Sequence, residues 1–152
     1  MQSEATWAPE ASPAFWINRT SRALTRHFDD SLRPHGFAMS HLPVLGALLR
    51  APALSQTQLA RAANVEQPTM AELLNRLERD GVVERKPNPE DRRGSLVSLT
   101  RKARARFPKG RVALMESEQV AMAGLSTKER ALLCSLLERV MKNLEAAESE
   151  HE

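Results

Sequence analysis

The chain is 152 residues long, the size of one compact domain carrying appended helices. With 41% hydrophobic and 27% charged residues it can bury a core without metal or disulfide staples, which excludes wholesale disorder. Its net charge of +3 is unevenly placed: residues 1–49 hold four Arg against four acids, residues 50–111 fourteen Lys and Arg against seven acids, and residues 112–152 four against eight.

In chain order, residues 1–12 are rich in Pro, Ala and Glu without periodicity and read as a flexible arm. Ser12-Pro13 sets a capping residue before a proline at the first helical position, opening a helix that Pro34 and Gly36 stop. Trp16, Ile17, Leu24, Phe28 and Leu32 fall on one broad face of it. Ser40 is expected to cap a short second helix bearing Leu42, Val44, Leu45, Leu48 and Leu49, with Pro43 tolerated in its first turn. Ser55-x-x-Gln58 is a capping box for a third helix that ends near Asn64. Gln67-Pro68 starts a fourth, whose Met70, Leu73, Leu74 and Leu77 give the i, i+3, i+4, i+7 stripe of a half-buried helix. Gly81 ends it in a left-handed conformation. Two short helices about a tight turn, the second amphipathic, form a helix-turn-helix whose second helix is available for a DNA groove.

Residues 82–86 and 96–99 are β-prone runs flanking a polar, turn-rich loop, which makes a hairpin with a basic tip, the wing of a winged helix. Thr100 caps a helix expected over residues 101–123, which Pro108 and Gly110 should bend or break. A second capping box, Ser126-x-x-Glu129, opens a last helix that runs through Leu132, Leu133, Leu136, Leu137, Val140, Met141 and Leu144. The fold expected is mainly α with a small β-hairpin wing. Its layout is a flexible arm at 1–12, an N-terminal dimerisation helix at 13–36, a winged helix-turn-helix lobe at 37–100, C-terminal dimerisation helices at 101–147 and a frayed acidic end at 148–152. The terminal helices carry apolar stripes that a small winged-helix core has no room for, so a second copy is the economical surface to bury them.

A basic centre between a neutral front and an acidic end suits a polyanion, and nucleic acid is the first suspect. The longest apolar stretches, such as residues 42–49, fall far short of the roughly 18 residues that suggest a membrane span. No charged and apolar leader opens the chain, and the lone Cys134 offers neither an internal disulfide nor paired-thiol zinc spacing. The expectation is therefore a soluble, cytoplasmic protein with no membrane partner and no cofactor. A glycine-rich phosphate loop, a nucleophile elbow and a helix-borne metal pair are all missing from the sequence, so it is not expected to be an enzyme.

With its apolar stripe in the core, the fourth helix exposes Gln67, Thr69, Ala71, Glu72, Asn75, Arg76 and Arg79. Gln67 and Thr69 suit base edges or phosphates, Pro68 a thymine methyl, and Arg76 guanine or a phosphate, with Glu72 and Asn75 further along the same face. Ser55 and Gln56, at the positive start of the third helix, are candidate phosphate contacts. In the wing, Asp91 lies two residues from Arg93 and is expected to hold its guanidinium out toward a narrow minor groove, while Arg92 suits a phosphate.

Asp91-x-Arg93 followed after five residues by Leu99-Thr100, behind the run LLNRLERDGVVERKPNPEDRRG, resembles the MarR family of bacterial transcriptional regulators. The resemblance extends over residues 13–147, including the start of the last helix, Gly124-Leu125-Ser126-Thr127-Lys128-Glu129. It implies a homodimeric winged-helix repressor or activator, with interlocked terminal helices and two wings straddling double-stranded DNA. It also implies Arg93 as the minor-groove residue, and a cavity for a small aromatic or phenolic effector bordered by Trp16, Arg19 and His41. His27, His35 and His41 beside Asp29 and Asp30 do not have the spacing of a metal site, and relatives that sense metal draw further ligands from a fifth helix that lacks histidine here. Cys134 is expected to be a packed, inert thiol. The competing reading is a winged helix used for protein contact or for non-specific architectural DNA binding, which the fold permits.

Overall fold

The computed structural model describes residues 8–150. The chain divides into two compact units, one running to Ser117 and the other beginning at Glu118.

In the first unit, helix α1 spans Pro13–Leu32, with Pro13 at its first position as expected. Ser12 sits extended at the cap, but its hydroxyl makes no capping bond. Residues 1–7 of the expected arm lie outside the described residues. Its remainder is partly ordered: Pro9–Ala11 forms one 3-10 turn, and the Trp16 indole N–H donates to the Glu10 carbonyl at 2.9 Å. Past α1 a turn at Arg33–His35 ends on Gly36 in the left-handed region, φ 80°. A side chain at Gly36 would meet the Arg106 guanidinium at 3.0 Å.

Ser40 does not cap the second helix. It lies within a 3-10 turn, Met39–His41, that leads straight into α2, Leu42–Arg50. That turn's free amides are met from elsewhere: His41 Nδ1 accepts from Ala38 N at 3.2 Å, and Asp29 Oδ1 on α1 accepts from Met39 N at 2.7 Å. On α2, Val44, Leu45, Ala47 and Leu48 are buried, whereas Leu49 turns outward and is 45% exposed.

A short strand, β1 (Leu54–Ser55), follows, an element the sequence does not announce. Two residues carry too little alternation to announce a strand, and only pairing with a distant one defines it. Helix α3 is Gln56–Ala63, with both bonds of the Ser55/Gln58 capping box formed. Asn64, at φ 51°, turns the chain, and α4 covers Gln67–Arg79. Gly81 at φ 71° ends the motif. Strands β2 (Val83–Pro87) and β3 (Ser95–Leu99) form the hairpin, in register Val83↔Leu99, Arg85↔Val97 and Pro87↔Ser95. β1 adds to the other edge of β3 through Leu54↔Val97, so the antiparallel order is β1-β3-β2.

The core gathers Leu32 of α1, Val44, Leu45 and Leu48 of α2, Leu59 of α3, Met70, Leu74 and Leu77 of α4, and Val82, Val83, Val97 and Leu99 of the hairpin. Burying each such side chain contributes roughly 1.5–3 kcal/mol.

Helix α5 spans Arg101–Ala121, and Pro108 and Gly110 do not break it. Its inward positions Ala103, Phe107, Gly110, Leu114 and Ser117 recur every three or four residues, the first four packed on the lobe around Phe37 and its neighbours. That docked face offsets the roughly 3 kcal/mol a proline costs inside a helix. Glycine at 110 is a packing requirement: a Cβ there would lie 3.2 Å from the Phe37 ring, which itself meets Phe107 edge to face at 5.6 Å. Thr100 caps α5 as expected, accepting from Ala103 N at 3.1 Å, and also donates to the Gly81 carbonyl at 2.7 Å. The cap therefore ties the helix start to the turn after α4.

In the second unit, the end of α5 turns at Gly124 (φ 83°) into α6, Thr127–Ser149. The Ser126/Glu129 capping box is formed, and it holds the Glu129 carboxyl below the usual carboxylate range through the Ser126 backbone and side chain. Arg130 closes the turn by donating to the carbonyls of Leu125 and Met122 and to Gln119. The acidic end is helical through Ser149, and residues 151–152 lie outside the described residues. No residue of α6 is buried in the single chain. Leu132, Leu133, Leu136, Leu137, Val140, Met141 and Leu144 are all exposed, and so is Cys134, which is not packed as expected.

Candidate nucleic-acid interface

Because Met70, Leu74 and Leu77 anchor α4 in the core, its opposite face is forced outward. That face carries Gln67, Pro68, Thr69, Glu72, Asn75, Arg76 and Arg79, all exposed, while Ala71 is half-buried. Their side chains are not equally available. Gln67 accepts from the Gln56 amide at 3.1 Å and donates to the Thr57 hydroxyl at 3.0 Å, which stitches the start of α4 to the start of α3. Gln56 and Gln67 are thus engaged with each other rather than standing free, and the Ser55 oxygen is committed to its cap. Asn75 accepts from Arg85 of β2. Among the described residues, Thr69, Glu72 and Arg76 make no side-chain hydrogen bond or ion pair.

The wing tip is held by its own backbone. Asn88 N donates to Gly94 O at 3.1 Å, Gly94 N to Asp91 O at 3.1 Å, and Glu90 N to Asn88 Oδ1 at 3.0 Å. Asp91 does not hold the Arg93 guanidinium. Its Oδ1 accepts from the Arg93 backbone amide at 3.0 Å, a local turn that competes successfully for the carboxylate because the amide is only two residues away. Arg92 and Arg93 are exposed and make no ion pair among the described residues. The free cations of the wing and the unspent polar groups of α4 leave this lobe with donors for phosphates and base edges.

The resemblance sets Trp16, Arg19 and His41 around an effector cavity. Trp16 lies thirteen residues before Asp29 on α1, about 20 Å along a helix axis, whereas His41 belongs to the turn that Asp29 holds. Trp16 is 51% exposed, and the Arg19 guanidinium lies over the Phe15 ring at 5.9 Å. Two open clefts are lined by other residues, one of about 470 Å³ at Pro9, Ser12, Phe15, Asn18 and Arg22, and one of about 430 Å³ at His35, Pro108, Lys109, Val112 and Glu116. Burial lowers the His41 pKa from 6.5, with Arg76 acting in the same direction and Asp80 and Asp29 against it. His27 Nε2 donates to the Ser117 carbonyl at 3.1 Å, and among the described residues no three His, Cys, Asp or Glu are grouped to hold a metal ion. Nor, among them, is any helix long and apolar enough to cross a membrane.

Sequence reasoning missed Thr57 and Arg85. Neither position carries a local signal, since each acquires its role by contacting a residue ten positions away.

A helix-turn-helix with an outward second helix, followed by a hairpin with free arginines at its tip, defines a winged-helix transcription regulator. Comparison with known proteins narrows the class. A family model described as MarR family matches residues 35–94. The HTH-type transcriptional regulator YdgJ of Bacillus subtilis is 32% identical over 114 residues, covering 75% of this chain and 70% of that protein. Among solved structures, a mutant MarR from E. coli complexed with operator DNA superposes with a TM-score of 0.75 at 28% identity, covering 82% of this chain and 90% of that one. The PcaV transcriptional regulator of Streptomyces coelicolor, in complex with its natural ligand, superposes with a TM-score of 0.80 at 25% identity, covering 91% and 97%. The chain belongs to the MarR family of transcriptional regulators.

Proposed function

We propose that this protein is a cytoplasmic repressor that binds a pseudo-palindromic double-stranded DNA operator as a homodimer and is released by a small aromatic or phenolic effector. The observation that carries the reading is the outward face of α4 beside a wing tip whose Arg92 and Arg93 have no ion partner among the described residues. The relatives add support, one being a MarR complexed with operator DNA and another a PcaV bound to its natural ligand.

In this reading Thr69, Glu72, Asn75 and Arg76 enter the major groove with Pro68 at its leading edge, and Gln67 fixes the angle of the helix. Ser55 and Gln56 offer phosphates the start of α3, Arg92 takes a phosphate, and Arg93 enters the minor groove on a turn that Asp91 holds in shape. The apolar stripe of α6 supports the dimer, because seven large apolar side chains exposed together are costly unless a second copy covers them. Two copies would then address half-sites about one helical turn apart. The expected layout, with the lobe at 37–100 between dimerisation helices at 13–36 and 101–147, follows from the same division of labour. An effector acts by favouring a dimer geometry that fits DNA poorly, so operator affinity falls by its differential binding energy. Neither a cofactor nor catalysis enters the scheme.

Fluorescence anisotropy against DNA from upstream of the protein's own gene, with a scrambled duplex as competitor, tests it. A preference of about 10³-fold with two chains per site is expected. Equal binding of both duplexes with one steep salt slope would overturn the reading in favour of architectural binding.

A further inference from the structure

The side-chain bonds that join the starts of α3 and α4 run in one sense. Gln56 Nε2 donates to Gln67 Oε1 at 3.1 Å, and Gln67 Nε2 donates in turn to Thr57 Oγ1 at 3.0 Å. A hydroxyl has one proton and two lone pairs, so the bond from Gln67 takes one lone pair and leaves the proton. That proton meets no acceptor among the described residues. The series therefore ends on a donor at an exposed position of α3, and an oxygen that already accepts makes its own O–H the stronger donor.

Arg61 stands four residues after Thr57, one turn further along the same face of α3. It is exposed, and its side chain makes no hydrogen bond or ion pair among the described residues. Thr57, Arg61 and Gln67 line one open cleft of about 340 Å³ between the two helices, and Glu66 lines it too. A hydroxyl donor and a guanidinium one turn apart suit an oxyanion, the arginine supplying charge and the threonine a directed bond. The architecture says where that oxyanion comes from. In a helix-turn-helix the first helix crosses the DNA backbone while the second enters the groove, so side chains of α3 meet phosphates rather than base edges.

We propose that Thr57 and Arg61 form a seat for one phosphate of the DNA backbone, on the reading of α4 as the helix that enters the groove. Gln67 is here a positioning residue, which orients the threonine hydroxyl. Neither Thr57 nor Arg61 carries a local sequence signal for this role, since the cleft forms only when α3 and α4 pack together.

Anisotropy titrations of the full chain against a bound duplex, with single phosphates replaced in turn by uncharged methylphosphonates, test it. Wild type should lose at least about tenfold in affinity at one phosphate of each half-site. Thr57→Val and Arg61→Met should each weaken binding to the unmodified duplex and become indifferent to replacement of that phosphate, while remaining sensitive at the others. Thr57→Ser, which keeps the hydroxyl, should restore the sensitivity. Arg61→Met in a dimer should lower the slope of log affinity against log salt by about 1.8, whereas Thr57→Val removes no charge and should leave it. Gln67→Met should reduce the sensitivity at that phosphate, and Glu66→Gln, which removes the one carboxylate lining the cleft, should bind no worse than wild type. Should Thr57→Val fail to fold by circular dichroism, Arg61→Met compared with wild type gives the answer. Full sensitivity at every phosphate in folded Thr57→Val or Arg61→Met would overturn the seat while leaving sequence-specific binding intact. Full sensitivity in Gln67→Met would overturn its positioning role, and loss of the contact in Gln56→Met but not in Thr57→Val would show that the free donor lies at Gln56 instead. No binding of any duplex by wild type would overturn the DNA reading and the seat together.

Discussion

Replacing Arg93 by alanine should weaken operator binding and flatten its salt dependence while leaving the fold untouched. The guanidinium is exposed and has no ion partner among the described residues. At the tip its backbone amide donates to Asp91 Oδ1 at 3.0 Å, a bond that alanine keeps. Folding stability should therefore change by no more than about 0.5 kcal/mol. On DNA each wing loses a charge-assisted contact of roughly 1.5–3 kcal/mol, so a dimer with two wings loses on the order of a hundredfold in affinity or more. Each phosphate-neutralising charge contributes about 0.9 to the slope of log affinity against log salt on B-DNA, and two wings should lower it by about 1.8. Anisotropy titrations at several salt concentrations give both quantities, and a thermal melt gives the third. Unchanged affinity and slope would remove the wing from the interface, and a lowered melting temperature would show that Arg93 supports the fold instead.

Asp91 separates the two roles considered for it: Asp91→Asn keeps an acceptor for the Arg93 amide and should bind operator no worse than wild type, whereas Asp91→Ala releases the turn and should weaken binding in the same titration. Thr100→Val removes one bond to the Gly81 carbonyl and one from Ala103 N, and urea denaturation should show a loss of about 1–2 kcal/mol that Thr100→Ser restores. His41 has a folded pKa below 6.5, so just below that value the unfolded chain binds more protons than the folded one. Stability contributed by neutral His41 is present above 6.5 and is lost as pH falls toward the folded value. Urea midpoints measured across that interval should fall with pH in wild type and fall less in His41→Gln. Leu136→Glu places a charge in the exposed stripe of α6, and sedimentation equilibrium should show monomers where wild type gives dimers.

What was legible in the sequence is what local chemistry decides. Both capping boxes, the left-handed Gly81, the Thr100 cap and the core stripe of α4 each need only a few consecutive residues, and each is present as read. Ser40 shows the limit of that logic. It has the right side chain at the right distance from an apolar run, but His41 and Asp29 meet the free amides first, and Asp29 comes from another helix. Pro108 fails in the opposite direction, since a strong local breaker is overridden by a docked face whose partner, Phe37, lies about seventy residues earlier in the chain.

The same division runs through the site. Sequence reading names the residues that α4 and the wing present, because a 3.6-residue period with a known buried face determines its opposite face. It does not name which atoms remain unspent, because that depends on neighbours no local pattern announces. Gln67 is tied to Gln56 and Thr57, Asn75 has its amide oriented by Arg85, and Asp91 turns from the guanidinium to a backbone amide. Recognition of a base edge is a matter of single donors and acceptors, and for Asn75 the side on which each lies is fixed by Arg85 of β2. The orientation of that amide is therefore set by the hairpin strand behind the helix, a place where comparing recognition helices alone would not look.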